Sequence, residues 1–326
     1  MPPPSDANPA HVPVLPEQVL GVLSPQPGET YADATAGLGG HAEAVARLIA
    51  PGGRVILNDA DGSNLERAAE RVRAAADIEV IAIHGPFSRL PDALEEQGIG
   101  ADLVLADLGF ASNQVDDPDR GLSFKRDGPL DMRLDPTSGE PAADLLARIG
   151  EAELADLIWR FGEERLSRRI ARKLVEARQI APISTTSRVG EIVRSAYPAA
   201  MVRKSRIDPA TRTFQALRIA VNDEMGQLEA LLAAIERGAA RAVQGPGPDS
   251  GLGESGWLKK GARVAMISFH SLEDRPVKQA FVRLAERGLA ERLTRKPITA
   301  YESETRGNPR ARSAKLRAVR IADHLL

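Results

Sequence analysis

The sequence predicts an α/β fold, a Rossmann-like doubly wound sheet that the chain leaves for a helical stretch and then re-enters. Three observations predict it. From residue 31 to 107, short apolar runs alternate with helical patterns, as strands joined by crossover helices do. A stretch rich in Arg and Glu, with no strand pattern, then breaks the alternation. Apolar runs at 263–269 and 315–321 resume it.

The elements follow in order. A short strand is expected at 31–34, and clearer ones at 54–59 (RVILND), 80–84 (VIAIH) and 101–107 (ADLVLAD). Each ends at a polar residue, as strands buried on both faces of a parallel sheet do. Helices are expected between them at 41–49, 64–75 and 88–97. In such a sheet, ligands bind at the carboxyl ends of the strands. Residues 109–139 are rich in Asp, Pro and Gly. That is too long for a plain connection, so the segment is functional or disordered. Residues 142–178 read as two helices, 189–197 as a third, and 211–243 as a long helix broken at Gly238. QGPGPDSGLGESG at 244–256 has the composition of a flexible loop. A strand at 263–269, a helix at 272–286 and a last strand at 315–321 complete the sheet. The expected organisation is a first part of the sheet domain at 1–135, a helical insert at 136–208 and the second part at 209–326.

Charge and composition set outer bounds. The 43 Lys and Arg against 45 Asp and Glu leave a net of −2. Residues 1–150 hold 11 basic and 24 acidic side chains, a net of −13, and residues 151–326 a net of +11. Such a split points to a polyanion partner that the whole-chain value hides. There is no cysteine, which excludes disulfides, Cys-ligated zinc, iron–sulfur clusters and any thiolate nucleophile. A thiolate attack on C6 of a pyrimidine is excluded with them. No run approaches the ~18 apolar residues of a membrane span. The first ten residues lack the basic and apolar regions of a signal peptide, so a loose tail on a cytoplasmic protein is expected. No set of side chains has the spacing of a metal site.

DATAGLGGH at 33–41 follows the first strand and opens a helix. Glycines there let the chain turn sharply and bring backbone N–H groups to a ligand at the helix start. Asp59 lies twenty residues beyond Gly39, at the end of the second strand, where an acid accepts hydrogen bonds from ribose hydroxyls. The pattern fits a nicotinamide dehydrogenase as well as other nucleoside binders. Asp61 reads as a helix N-terminal acid. Phe87 follows the third strand, placed either to stack on adenine or to fill the core.

The fourth strand ends in Asp107-Leu-Gly-Phe110, an acid–small–small–aromatic string similar to that of enzymes that methylate exocyclic amines of bases. The amino nitrogen of cytosine is a poor nucleophile because its lone pair is delocalised into the ring. A carboxylate at Asp107 can accept its N–H and localise that pair, and Phe110 can stack on a base taken out of its helix. Positioning then supplies much of the rate.

Longer blocks carry a family resemblance. HVPVL at 11–15, DATAGLGGH at 33–41, DLGFASNQVDDPDRGLSF at 107–124 and GPLDMR at 128–133 belong to it. So do PATRTFQALRIAVNDE at 209–224, ISFHSLEDR at 267–275 and NPRARSAKLR at 308–317. Together they resemble the bacterial ribosomal RNA small-subunit methyltransferase H family over nearly the whole chain. The resemblance implies a class I methyltransferase sheet with an inserted helical domain, S-adenosylmethionine as cofactor, and methylation of N4 of one cytidine in the decoding region of 16S rRNA. It implies cofactor contacts at Gly39, Gly40, His41, Asp59, Phe87, Asp107 and Gln114. Asp107 is thus claimed both by the cofactor and by the target amine. Among the departures, Ala111 replaces the first Ser of a Ser-Ser pair, which leaves Ser112 as the candidate catalytic hydroxyl beside Asp107. Ala36, Leu122 and the long 244–256 loop are the others.

Phe110, Asp131, Arg133, Arg310 and Arg312 are the candidate RNA-binding residues. Asp131 and Arg133 either line the base pocket or hold the loop to the sheet by an internal salt bridge. Residues 306–320 hold six basic side chains and no acid, which suits phosphate forks. Arg165, Arg168, Arg169, Arg172 and Lys173 add to the basic surface, some of them paired with Glu163, Glu164 and Glu176. The His and acids of 267–275 are too close in sequence for a hydrolase triad. Asp274 with Arg275 reads as an ion pair or as helix-start charges. The expected partner is 16S rRNA within the small subunit or a late assembly intermediate, with no membrane and with a homodimer left open. The alternatives are an amino-methyltransferase of the same fold acting on another nucleic acid, a non-catalytic RNA-binding assembly factor, and a dehydrogenase. The dehydrogenase fails on the 107–133 blocks.

Overall fold

A computed structural model describes residues 13–204, 207–245 and 256–325. The tail at 1–10, and the 244–256 loop apart from its ends, lie outside the described residues. The chain divides into two compact units, one made of residues 1–109 and 227–326 and the other of residues 110–226.

The first unit begins with α1 (Pro16–Leu23), β1 (Thr30–Asp33), α2 (Gly40–Ile49), β2 (Arg54–Asp59), α3 (Gly62–Ala75), β3 (Glu79–His84), α4 (Leu90–Glu96) and β4 (Ala101–Asp107). The helical stretch then supplies α5 (Ser112–Asp116), α6 (Ala142–Arg148), α7 (Glu151–Gly162), α8 (Ser167–Ile180), α9 (Thr186–Ala196), α10 (Ala199–Lys204), α11 (Ala210–Val221) and α12 (Glu224–Gln244). The sheet resumes with β5 (Leu258–Ser268), α13 (Ser271–Glu286), β6 (Ala290–Arg292), α14 (Glu302–Gly307) and β7 (Lys315–Ile321).

Seven strands form one sheet in the order β3-β2-β1-β4-β5-β7-β6. The strand order reverses between β1 and β4, which is the switch point where such sheets bind ligands. β1 to β5 pair in parallel, whereas β7 runs antiparallel to both β5 and β6. The sheet is therefore mixed, not wholly parallel. α13 carries the chain across so that β6 runs the same way as β5, and β7 fills the gap between them from the opposite direction. The core of this unit packs Val19, Leu23, Val45 and Ile49 with Leu57, Leu103, Leu105 and Ile267. β3 is an edge strand with only Ile83 fully buried, so burial on both faces does not extend to it.

The long helix expected at 211–243 is two helices. α11 ends at Val221, and Asp223 turns the chain in the left-handed region at φ 47°. Gly238 does not break α12. A Cβ there would stand 2.7 Å from Trp257 Nε1 and 3.1 Å from Leu258 Cδ1, so the glycine admits a buried Trp close to the helix.

The second unit is helical around Leu146, Leu154, Ile158, Ile170, Leu174, Val189, Phe214 and Leu217. Its 142–178 segment forms three helices, because chain turns at 149–150 and 163–166 interrupt it. The insert expected at 136–208 is a compact unit of 110–226. The Asp- and Pro-rich loop joins it through backbone contacts. The Leu130 N–H donates to Ser184 O at 2.9 Å, and the Thr186 N–H to Gly128 O at 3.0 Å. Leu130 and Met132 enter the helical core.

Candidate active site

The carboxyl ends of three adjacent strands each present an acid: Asp33 on β1, Asp59 on β2 and Asp107 on β4. Asp33 is buried and accepts the Tyr31 hydroxyl at 2.8 Å and the Thr35 N–H at 3.1 Å. Burial is the largest cause that lifts its pKa to about 7. The Thr35 hydroxyl in turn accepts the Asp107 N–H at 2.6 Å, so β1 and β4 are tied where the sheet switches.

Asp59 holds the glycine turn. Its Oδ2 accepts the Gly37 N–H at 2.7 Å and its Oδ1 the Asp61 N–H at 2.8 Å. Desolvation by burial lifts it to about 6. Each oxygen keeps a second acceptor site, which fits two ribose hydroxyls. Asp61 caps α3, accepting from Ser63 and Asn64, as its helix N-terminal reading expects. Gly39 sits at φ 78°, and a Cβ there would lie 2.9 Å from the Ala68 Cα. Its glycine is thus required by the left-handed turn and by contact with α3. Gly40 opens α2 against Pro13. Phe87 begins the 3₁₀ turn Phe87–Arg89 and is half-buried.

Asp107 is the most distinctive of the three acids. Its Oδ2 stands 3.8 Å from His41 Nε2, and its side chain is a quarter exposed. Its Oδ1 is buried without a hydrogen-bond partner among the described residues. Burial first, then the charges of Asp33 and Glu273, push its pKa well up. A buried acceptor without a donor costs free energy until a ligand N–H reaches it. This oxygen and the second acceptor sites of Asp59 fit a nucleoside-bearing cofactor or an amine at the strand ends.

β5 is followed by Phe269 and His270, where the Phe269 N–H donates to Glu273 Oε2 at 2.8 Å and His270 Nε2 lies 3.1 Å from Glu273 Oε1. Asp274 pairs not with Arg275 but with Arg317 at 2.7 Å and Lys315 at 3.5 Å, which staples α13 to β7.

The second unit holds the remaining candidates. Phe110 is 38% exposed, and the Arg218 guanidinium lies 4.6 Å from its ring centroid. Arg218 is fixed by a two-pronged fork to Glu224 at 2.6 and 2.8 Å. Ser112 is the first residue of α5. Gln114 is buried, and its Oε1 caps the Ala111 N–H at 2.8 Å. Asp131 and Arg133 form a fork with each other, Nη2 to Oδ2 at 2.7 Å and Nε to Oδ1 at 2.8 Å. The salt bridge forms within the loop, between two of its own residues.

The profile of the MraW methylase family matches residues 8–242 and 254–322. The chain belongs to the MraW methylase family. It is 48% identical over 314 residues to "Ribosomal RNA small subunit methyltransferase H" of Acidobacterium capsulatum, covering 94% of this chain and 97% of that one. The protein of the same name from Sorangium cellulosum is 47% identical and covers 98% and 93%. A solved rRNA methylase from Streptococcus thermophilus covers 94% and 93% at 10% identity with a TM-score of 0.38. At that score the likeness carries no argument.

Within this MraW-family chain, sequence reasoning passed over two pairs of residues. Asp33 and Thr35 stood inside a quoted motif, and an acid ending an apolar strand was the signal available for Asp33. Arg218 and Asn222 belong to the 209–224 block, which had no assigned role. Asn222 Oδ1 accepts the Leu134 N–H at 2.7 Å and its Nδ2 donates to Met132 O at 2.8 Å. With Phe214 edge-on to Phe124 at 4.8 Å, α11 is the template on which the 110–134 loop is laid. The Arg-rich 306–320 segment is less free than its composition suggests. Arg317 is buried against Asp274, Arg306 faces Glu302, and Arg320 pairs with Asp323. Arg312 is exposed and Arg310 half-buried in the turn Pro309–Ser313.

Proposed function

We propose that the chain methylates the exocyclic N4 of a specific cytidine in the decoding region of 16S rRNA, using S-adenosylmethionine, on the small subunit or a late assembly intermediate in the cytoplasm. The names of its close relatives support an rRNA substrate. The observation that carries the amine is the buried, unpartnered Oδ1 of Asp107 at the end of β4.

Gly39, Gly40, His41, Asp59 and Phe87 would hold the cofactor, with the Asp59 carboxylate on the ribose hydroxyls. When bound, the cofactor supplies an electrophilic methyl group on a sulfonium. Asp107 accepts an N–H, which keeps the nitrogen lone pair out of the ring and directs it at the methyl. Phe110, backed by the Arg218 guanidinium, offers an exposed ring face on which a flipped base can stack.

Mass spectrometry of small-subunit rRNA from a strain lacking the protein tests the proposal. The expected result is loss of one N4-methyl group on a cytidine of the decoding region. Loss of a carbon-bound methyl, or an unchanged spectrum, would overturn it.

A further inference from the structure

Most arginines of the helical unit are already committed. Arg148 pairs with Glu140, Arg194 with Asp208, and Arg218 with Glu224. Arg126 and Arg178 donate to backbone carbonyls. Arg165, Arg168, Arg169 and Lys173 differ, since none of their side chains makes an ion pair or hydrogen bond with a described residue. The pairing expected with Glu164 and Glu176 does not occur. Glu164 is buried, where it accepts the Tyr197 hydroxyl at 2.6 Å and the Leu166 N–H at 2.8 Å.

Arg165 lies in the turn that leads into α8, and Arg168, Arg169 and Lys173 stand on its first two turns, with Arg169 and Lys173 four apart on one face. The three arginines are exposed and the lysine half-buried. The first turn of α8 carries no acid. Arg172, on the same helix, has only Glu151 at 3.8 Å. Like charges at this spacing repel, and among the described residues Glu151 is the one acid that pairs with this group of cations. Trp159 stands in the last turn of α7, just before the 163–166 turn that leads into α8. It is 54% exposed, whereas the other tryptophan, Trp257, is 1% exposed.

We propose that this end of the α7–α8 hairpin is an RNA-docking surface. Arg165, Arg168, Arg169 and Lys173 take backbone phosphates, and Trp159 stacks an unpaired base. Cations that follow a phosphate chain, beside an exposed aromatic ring, are how single strands are held. The inference rests on the proposed rRNA substrate and adds where that RNA is gripped.

The test is the salt dependence of binding, measured between 50 and 200 mM salt with a transcript of the 16S decoding region. The wild type is compared with R165Q/R168Q/R169Q/K173Q, with the all-lysine counterpart R165K/R168K/R169K, and with W159A. The glutamine variant is expected to bind more weakly, with its log–log salt slope reduced by about 0.7 for each phosphate left without its cation, up to about 3 in all. The lysine variant should keep the wild-type slope, and W159A should lose affinity at an unchanged slope. Melting curves and cofactor affinity verify folding, and single R168Q and R169Q variants replace the quadruple one if it fails to fold. A wild-type slope and affinity in the glutamine variant, with the wild type still binding and methylating RNA, would overturn this surface alone. A wild type that binds neither the transcript nor the small ribosomal subunit would overturn the proposed function along with it. Unchanged RNA binding with weakened affinity for polyglutamate would assign these cations to an acidic protein segment and reject the RNA proposal.

Discussion

Asp33→Asn tests the buried carboxylates at the strand ends. Asp33 is 1% exposed and titrates at about 7 in the folded protein, chiefly because burial disfavours its charge. In the unfolded chain an Asp titrates near 3.9. Below about pH 4 both states hold the proton, and the group makes no difference to stability. Between about 4 and 7 the unfolded chain gives up its proton and the folded one does not, so stability falls as pH rises. Above 7 the full penalty applies. A shift of about three units corresponds to about 4 kcal/mol. The charges of Asp59 and Asp107 interact with this site, so a swing of about 3–4 kcal/mol is the working figure. Asparagine removes the titration. Its one oxygen accepts either the Tyr31 hydroxyl or the Thr35 N–H, at a pH-independent cost of about 1–3 kcal/mol. The variant should therefore be less stable than wild type at pH 4.5, and the difference should close or reverse by pH 8. Urea unfolding at constant ionic strength across that range, without cofactor, measures it. A difference constant to within about 1 kcal/mol would mean that Asp33 ionises normally, and the argument from burial would fail.

Asp59→Ala should weaken S-adenosylmethionine binding by about 1–3 kcal/mol in calorimetry, because its charge-assisted hydrogen bonds are removed; unchanged affinity would remove the ribose assignment. Arg218→Met leaves Glu224, whose side chain is 9% exposed, without its cation. It should destabilise the helical unit by about 3–5 kcal/mol in urea unfolding, and a loss below about 1 kcal/mol would show that the fork beneath Phe110 is not held as described. Gly238→Ala sets a helix gain of about 1 kcal/mol against a Cβ 2.7 Å from a buried Trp257 nitrogen. Overpacking of about 1–3 kcal/mol should dominate, and a raised melting temperature would refute the close contact.

The strands at 54–59 and 101–107 were legible to the residue, because each is a run of buried aliphatics stopped by an acid that the sheet end requires. β6 was not legible. Its three residues, Ala-Glu-Arg, are strand because they pair with β7, and such a pairing leaves no local pattern. The break at Asp223 was hidden because α11 and α12 share an apolar periodicity, whereas Gly238 looked like a break and is a packing contact. At the site, the glycine turn and the acids could be read from spacing. The partners that decide what each charge can do could not. Arg133, Arg317 and Arg168 look alike in sequence, yet the first is forked to Asp131, the second is buried on Asp274, and the third has no counter-charge among the described residues.

The charge split at residue 150 changes meaning once the units are known. The helical unit, 110–226, holds 19 basic and 18 acidic residues, a net of +1, and the sheet unit holds 24 and 27, a net of −3. Neither unit is a strongly basic body. The −13 and +11 arise largely inside the sheet unit, whose segment 1–109 carries −10 and whose segment 227–326 carries +7. Part of that opposition is internal pairing, as Arg263 with Glu29, Lys259 with Asp102 and Arg241 with Glu95 show. A cation so paired is already neutralised and offers little to a phosphate. An argument for RNA from net charge is therefore weak in this protein. The weight rests on cations that the fold leaves without acids among the described residues, and the start of α8 is one place where several of them stand together.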